Sequence, residues 1–571
     1  MKVRYRAAAG LTVLAMAVAA CGGGGETKQP NAEQSKQAQQ QMSETPSISI
    51  NAVPYEQVKD GGTLTVAIGQ WPSQWNGQHV DGNQADTAFM LDAFMPQLMV
   101  SDENATFTAN PDYLTDVKSE ITDGKQVVTY TLNDKAQWSD GTPITWKDLE
   151  AQWKANSGEN EKFKPASKDG WDKIESVEKG DSDKVAIVTF KQPYLEWQGM
   201  FNRGTSHLLP AEHIKTPEAY DKDYLQKIPV TAGPFKVEKL DEGTKTLTLV
   251  ADDKWWGKKP KLEKVIFRTI ETPAAQVNAF ANGEIDAVEI PPGSPADLKR
   301  AKEVPDVDIR KALSPNWRHI TVNNQSEFLK EKSVRQAVQY AINRDVITQS
   351  DLKDMDWPLQ TLGNHVFMNN HKSYVDNSGD LGKYNLEKAK QLLDAAGWKQ
   401  EAEGQLRKKD GKEMSLDFVV PAGVPYAKTE GELTQAMLKE AGIGLTIRPV
   451  PDDKFFTDFI IKGDFDLVPF SWIGTPLPIG SLPQIYKTGS ESNFPKSDDP
   501  AVDKAIDAAA SATDETQAAQ LANEADKLIW DLVHTIPLYQ RPDIQATKKT
   551  LANYGAEGYK YNNWTEIGFT G

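Results

Sequence analysis

The body of the chain opens on an alternation of apolar and polar positions. After Gly61-Gly62, the residues Leu64, Val66 and Ile68 fall on one side of a period-2 stretch. Val128, Tyr130 and Leu132 repeat the pattern, as do Leu247 and Leu249. Period 2 marks a strand with one buried face, so the span 55–310 is predicted to be strand-rich, with helices interspersed. Beyond Lys311 the period lengthens. Val334, Val338, Ala341 and Ile342 share a helical face. Asn385 is placed to cap a helix carrying Leu386, Ala389, Leu392, Leu393 and Ala396, which Gly397 stops. A helix through Met437 and Leu438 ends at Gly442, and a strand then alternates Ile443, Leu445 and Ile447. Leu521, Ala525, Leu528, Ile529 and Leu532 form the last helical stripe. This α-then-β order predicts an α/β protein whose second lobe has its own mixed sheet. There is no fixed-period repeat, which argues against a solenoid or a propeller.

Ahead of this body lies a different kind of sequence. Residues 1–6 are basic, 7–20 are apolar, and Cys21 follows Val18-Ala19-Ala20. A charged n-region, a short apolar h-region and small residues before a cut describe a secretory signal. The chain's single cysteine falls where a bacterial lipobox requires it, so Cys21 is the expected lipid attachment point. The apolar run is 14 residues long, below the roughly 18 needed to span a bilayer. From Gly22 to about Pro54 the chain is rich in Gln, Ser, Glu and Lys and has no aliphatic residue other than alanine and methionine until Ile48. That composition predicts a disordered tether over 21–54. One acyl chain binds a membrane only marginally, so stable anchoring takes the several chains of a bacterial lipoprotein.

Composition narrows the function. The 571 residues suggest two to four folding units at roughly 100–200 residues each. Net charge is −17, and loss of the three cations of residues 1–20 takes it to −20. A surface so negative repels nucleic acid and anionic lipid. One cysteine excludes an internal disulfide and a thiolate metal cage. No phosphate-binding loop, nucleophile elbow or zinc-protease motif occurs. The seven histidines never stand four apart. His207/His213 and His365/His371 are expected to be surface or loop residues, not metal ligands. No cofactor and no metal is implied.

Fifteen tryptophans are the informative excess. Indoles offer flat apolar area and one donor, which suits clefts holding ligands with apolar faces. Trp138, Trp255 and Trp256 read as core residues. Trp71 and Trp75 lie just beyond the end of the first strand, where loops of α/β folds commonly face a cleft.

The motifs then add up in order. Trp138-Ser139-Asp140-Gly141-Thr142-Pro143-Ile144-Thr145 is followed by Thr231-Ala232-Gly233-Pro234-Phe235 and by Asn282-Gly283-Glu284-Ile285-Asp286. Next come Val334-Arg335-Gln336-Ala337 with Tyr340-Ala341-Ile342, and Leu392-Leu393 ahead of Ala396-Gly397-Trp398. Lys462-Gly463-Asp464-Phe465-Asp466 leads to Trp472, and Ile536-Pro537-Leu538-Tyr539 closes the set. In this order the chain, from about Gly61 to Tyr539, resembles the extracellular solute-binding proteins of family 5. That group binds peptides or nickel and serves ABC importers. Most of the blocks are turns and helix ends, so they carry structure, not ligand contacts.

The resemblance implies a two-lobe α/β fold of the periplasmic-binding-protein type II, with an extra subdomain in lobe I. Lobe I is expected over 55–312, with the inserted subdomain at roughly 93–224, and is completed by a return segment, 535–571. Lobe II is expected over 313–534. The crossings would lie near 313–319 and 535–539, and ligand would sit between the lobes. The implied function is a monomeric, lipid-anchored receptor on the outer face of the cell membrane. It would bind peptides and present them to ABC permease subunits. An oligosaccharide- or metal-chelate-binding receptor is the alternative, and a secreted lipoprotein hydrolase a distant one. One departure matters. Peptide-binding members carry an aspartate three residues after the Trp that here is Trp472, and it pairs with the peptide ammonium. Trp472-Ile473-Gly474-Thr475-Pro476 puts Thr475 there. The variant is similar to actinobacterial oligopeptide-binding lipoproteins. The resemblance therefore points to Trp472, Gly474 and Thr475 in lobe II as ligand contacts. Trp71 and Trp75 are expected to face them across the cleft as further ligand contacts.

Overall fold

The computed structural model describes residues 40–203, 206–490 and 492–571. Cys21 and the signal segment lie outside them. The first strand, β1 (Thr63–Ile68), buries Leu64, Val66 and Ile68, as its alternation requires. An antiparallel sheet follows, with strands β2 (Leu114–Thr122), β3 (Lys125–Leu132), β4 (Ile174–Lys179) and β5 (Val185–Phe190) in the order β2-β3-β5-β4. The chain then supplies β6 (Phe235–Asp241), β7 (Thr246–Ala251), β8 (Lys264–Thr269) and β9 (Ala287–Glu289). Two long strands, β10 (Val307–Val322) and β14 (Thr535–Lys548), bracket β11 (Ser415–Pro421), β12 (Gly444–Val450) and β13 (Leu467–Trp472). All but β2–β5 join one ten-stranded mixed sheet, in the order β12-β11-β13-β10-β14-β9-β1-β8-β7-β6.

The fold is thus α/β and two-lobed. One lobe is built on β1 and β6–β9, and the small sheet β2–β5 shares its core: Val66, Val128, Tyr130, Val188 and Leu249 belong to one apolar cluster. The other lobe is built on β11–β13. The helix Lys332–Ala341 buries Val334, Val338 and Ala341 there. Asn385 caps Leu386–Ala395 by accepting the Lys388 N–H at 2.9 Å.

The strands β10 and β14 run antiparallel through both lobes. Their ladder is regular from Val307↔Lys548 to Leu313↔Pro542, breaks, resumes at Trp317↔Gln540, and shifts again between Arg318 and His319. Prolines mark these breaks because they have no N–H to give: Pro315 lies inside the first, and Pro542 and Pro537 pair at its edge and beyond the second.

The N-terminal segment departs from expectation. Residues 40–54, predicted to be part of the tether, are seated on the body. Met42 is buried in the cluster that holds Leu313. The Leu313 N–H donates to the Pro46 carbonyl at 3.0 Å, and Ser49 and Ala556 exchange backbone bonds at 2.8 and 2.9 Å. Arg310, 1% exposed, donates to the carbonyls of Ile50, Leu551 and Tyr554. Backbone groups do most of the holding, so a low apolar content did not forbid order. Arg310→Met leaves the Tyr554 carbonyl without a donor, while the Ile50 and Leu551 carbonyls keep the Tyr554 N–H at 3.1 Å and the Asn51 amide at 3.1 Å. It is expected to cost about 1–3 kcal/mol, the usual penalty for one buried polar group left unpaired. The loss is measured by chemical denaturation, and faster protease cleavage between residues 40 and 54 accompanies it.

Candidate functional site

Trp472 ends β13 directly opposite Trp317 of β10. Its ring lies parallel to Phe494 at 5.7 Å and to His319 at 6.0 Å, and Phe470 meets it edge-on at 5.2 Å. The indole N–H is buried and makes no hydrogen bond. Below this ring lies a recess of about 30 Å³, walled by Trp317, His365, Met368, Trp472, Gly474 and Thr475, with Pro315 and Tyr559 at its margin. Three of the predicted contacts therefore share one site.

The loop after Trp472 is fixed against the first break in β10. The Gly474 N–H donates to Asn316 Oδ1 at 2.9 Å. A Cβ at Gly474 would stand 2.1 Å from the Pro315 carbonyl oxygen, so no other residue fits. Thr475 is exposed, and its hydroxyl is spent on its own turn: it donates to the Leu477 carbonyl at 3.0 Å and accepts the Leu477 N–H at 3.2 Å. No carboxylate stands among the residues lining the recess. Ile473, 57% exposed, projects beside it and was not anticipated. A bare isoleucine after the Trp was the available signal.

Trp71 and Trp75 do not line this recess. Trp75 has no exposed surface and belongs to the core around β1, edge-on to Trp71 at 5.4 Å. Trp71 is half-buried and donates to Glu242 at 2.7 Å. The expectation that Trp75 fronts a cleft fails because its loop is folded inward. Gln74, Asn76 and Gln78 are all buried and donate to the carbonyls of Asp221, Tyr220 and His207. Trp138 is a core residue, as read. His207 and His365 lie in loops but are buried, bonded to Asp92 at 2.7 Å and Asp526 at 2.6 Å. Carboxylate partners, which spacing does not reveal, let them go inside. Among the described residues no His, Cys, Asp and Glu group is arranged to hold a metal.

A charged layer adjoins the recess along the chain. Arg541, next to the Gln540 that pairs with Trp317, donates to Glu289 at 2.7 Å. Arg203 bridges Asp92 and Glu557. Asp543 accepts from Gln545 at 3.0 Å and from the Glu557 N–H at 3.2 Å. Burial, then the charge of Glu289, pushes its carboxyl up to about 7.

Known proteins share this architecture and sequence. Residues 108–494 match the bacterial extracellular solute-binding proteins, family 5 Middle. The chain is 36% identical over 572 residues to the oligopeptide-binding protein OppA of Mycobacterium tuberculosis, covering 100% of this chain and 94% of that protein. It is 26% identical over 392 residues to the oligopeptide-binding protein AppA of Bacillus subtilis, covering 67% and 68%. Among solved structures, the periplasmic EDTA-binding protein EppA superposes with a TM-score of 0.82 at 27% identity, over 91% of this chain and 98% of that one. AppA of Bacillus subtilis in complex with a nonapeptide superposes at 0.79 and 21%, over 90% and 100%. The two-lobed α/β fold accords with these likenesses. The chain belongs to the bacterial extracellular solute-binding proteins of family 5.

Proposed function

We propose that the chain is an exported receptor that binds oligopeptides between its lobes and delivers them to the permease of an ABC-type importer. The observation that carries this reading is the seam recess, with aromatic and thioether walls and no lining carboxylate. Such a surface takes apolar side chains. The name of its full-length OppA relatives agrees. Lobe I spans 55–312 with its insert at 93–224 and return at 535–571; lobe II spans 313–534. The lobes pivot where the β10/β14 ladder breaks, near 313–319 and 535–539, and the receptor works as a monomer. Ligand contacts are Trp472, Gly474 and Ile473, while Thr475 shapes the turn.

Native mass spectrometry of the purified protein tests the ligand. Masses of peptides, released unchanged, are expected. A chelate such as Fe(III)-EDTA is the second reading, favoured by the 27% identity to EppA. Retention of a chelate or an oligosaccharide with no peptide overturns the first. The anchor is tested separately. Cys21→Ala is expected to move the protein from membranes to the soluble or unprocessed fraction. Membrane retention with the signal removed refutes lipidation at Cys21.

A further inference from the structure

The segment 192–199 leaves the small sheet of lobe I and lands on lobe II at four points. Gln192 donates to the Ser511 hydroxyl at 2.6 Å. Leu195 packs on the lobe II cluster of Val366, Phe367, Ile479 and Leu482. The Ile479 N–H donates to Glu196 Oε1 at 2.8 Å, and the second carboxyl oxygen lies against Gly480, where a Cβ would meet it at 2.3 Å. A Cβ at Gly199 would touch Leu477 at 3.0 Å. Leu477, Ile479 and Gly480 continue the loop that begins at Gly474 and Thr475, so the same loop walls the recess and receives lobe I. Each contact crosses between lobes, and opening a cleft would break all four.

We infer that residues 192–199 are a clasp that holds the lobes shut over the recess, with Glu196 as the positioning residue for the loop 474–480. This rests on the proposed two-lobe receptor.

A proton belongs to the same device. Glu196 is 7% exposed, and burial pushes its carboxyl up to about 8, against the opposing effect of the two backbone N–H groups. From lobe I, Asp169 raises it further, Lys173 lowers it, and the Tyr194 hydroxyl stands beside it at Gly480, itself raised by Asp169 and Asp172. From lobe II it meets the backbone of Ile479 and Gly480. In an open form the carboxyl faces water and titrates near 4.3. Closure therefore takes up a proton between these values. The closed population falls as pH rises, by up to tenfold per unit where one whole proton is linked.

The test is single-molecule fluorescence transfer on the full chain carrying Cys21→Ala. Dyes are placed at Ile121→Cys and Val375→Cys, which are 55% and 50% exposed on the two lobes. Closed populations are read from pH 5 to pH 9, with and without an equimolar mix of synthetic nonapeptides. In the parent the closed fraction is expected to fall across this range. Glu196→Gln keeps an acceptor for Ile479 and mimics the neutral acid, so its closed fraction stays high and its pH response flattens. Glu196→Ala closes at least tenfold less than the parent at pH 5, where the parent carboxyl is protonated, and shows no pH response of its own. A parent that is flat in pH, or a Glu196→Ala variant that closes like the parent at pH 5, overturns the clasp. If pH shifts the populations as expected but nonapeptides shift none of them, the clasp stands and the peptide reading fails.

Discussion

Replacing Arg318 by methionine is expected to destabilise the protein by about 3–5 kcal/mol at pH 7.5, the cost of stranding one member of a buried ion pair. Arg318 in β10 donates twice to Glu430 of the helix Pro425–Glu440, and these side chains are 4% and 0% exposed. The Tyr426 ring covers the guanidinium at 4.8 Å. Asp351 adjoins the pair and accepts from the Tyr539 hydroxyl at 3.0 Å. Burial, then the nearby Glu430, holds its carboxyl well above the usual carboxylate range, so one guanidinium serves one ionised carboxylate. Without Arg318, Glu430 keeps no cation partner in a site where its side chain is 0% exposed. Denaturant titration at pH 7.5 measures the loss. Adding Glu430→Gln should recover most of it, because it removes the stranded charge. A double variant as unstable as the single one would contradict this account.

The second large effect separates two tryptophans that look alike in sequence. Trp75→Ala empties a fully enclosed core site and is expected to cost about 3–5 kcal/mol of stability, with binding intact in the fraction that folds. Trp472→Ala removes a half-buried wall of the recess. It is expected to weaken nonapeptide binding by about 2 kcal/mol, roughly thirtyfold, with a smaller change in melting temperature. Calorimetric titration and thermal denaturation of both variants decide it. The assignment fails if Trp75→Ala loses affinity while keeping its melting temperature.

These cases show what the sequence could convey. Local pattern carried the elements: the alternation of Leu64, Val66 and Ile68 is β1, and the Asn385 cap is where it was read. The order of short motifs carried the family. Trp472, Gly474 and Thr475 were pointed to by the family resemblance, and the structure brings the three together around one recess. Trp75 was misread because its burial depends on where Gln74, Asn76 and Gln78 find carbonyls more than a hundred residues away. The docking of residues 40–54 was hidden for a similar reason: the carbonyls that Arg310 and Leu313 meet carry no side-chain signature. Glu196 was invisible because its partner is a backbone N–H in the other lobe.

The placement of β14 governs how the molecule can be made. Within the ten-stranded sheet, only β14 joins β10 to β9. Without it the sheet falls into two pieces, β12-β11-β13-β10 and β9-β1-β8-β7-β6, each ending on an unpaired strand. Yet β14, residues 535–548, is synthesised after every other strand of that sheet. Both open edges must wait for it, and pairing across such sequence distances is slow. Exposed edges invite association with other chains. The nascent protein therefore has a late, aggregation-prone stage built into its topology. A chain cut short before residue 535 is not a smaller receptor but a pair of unfinished sheets.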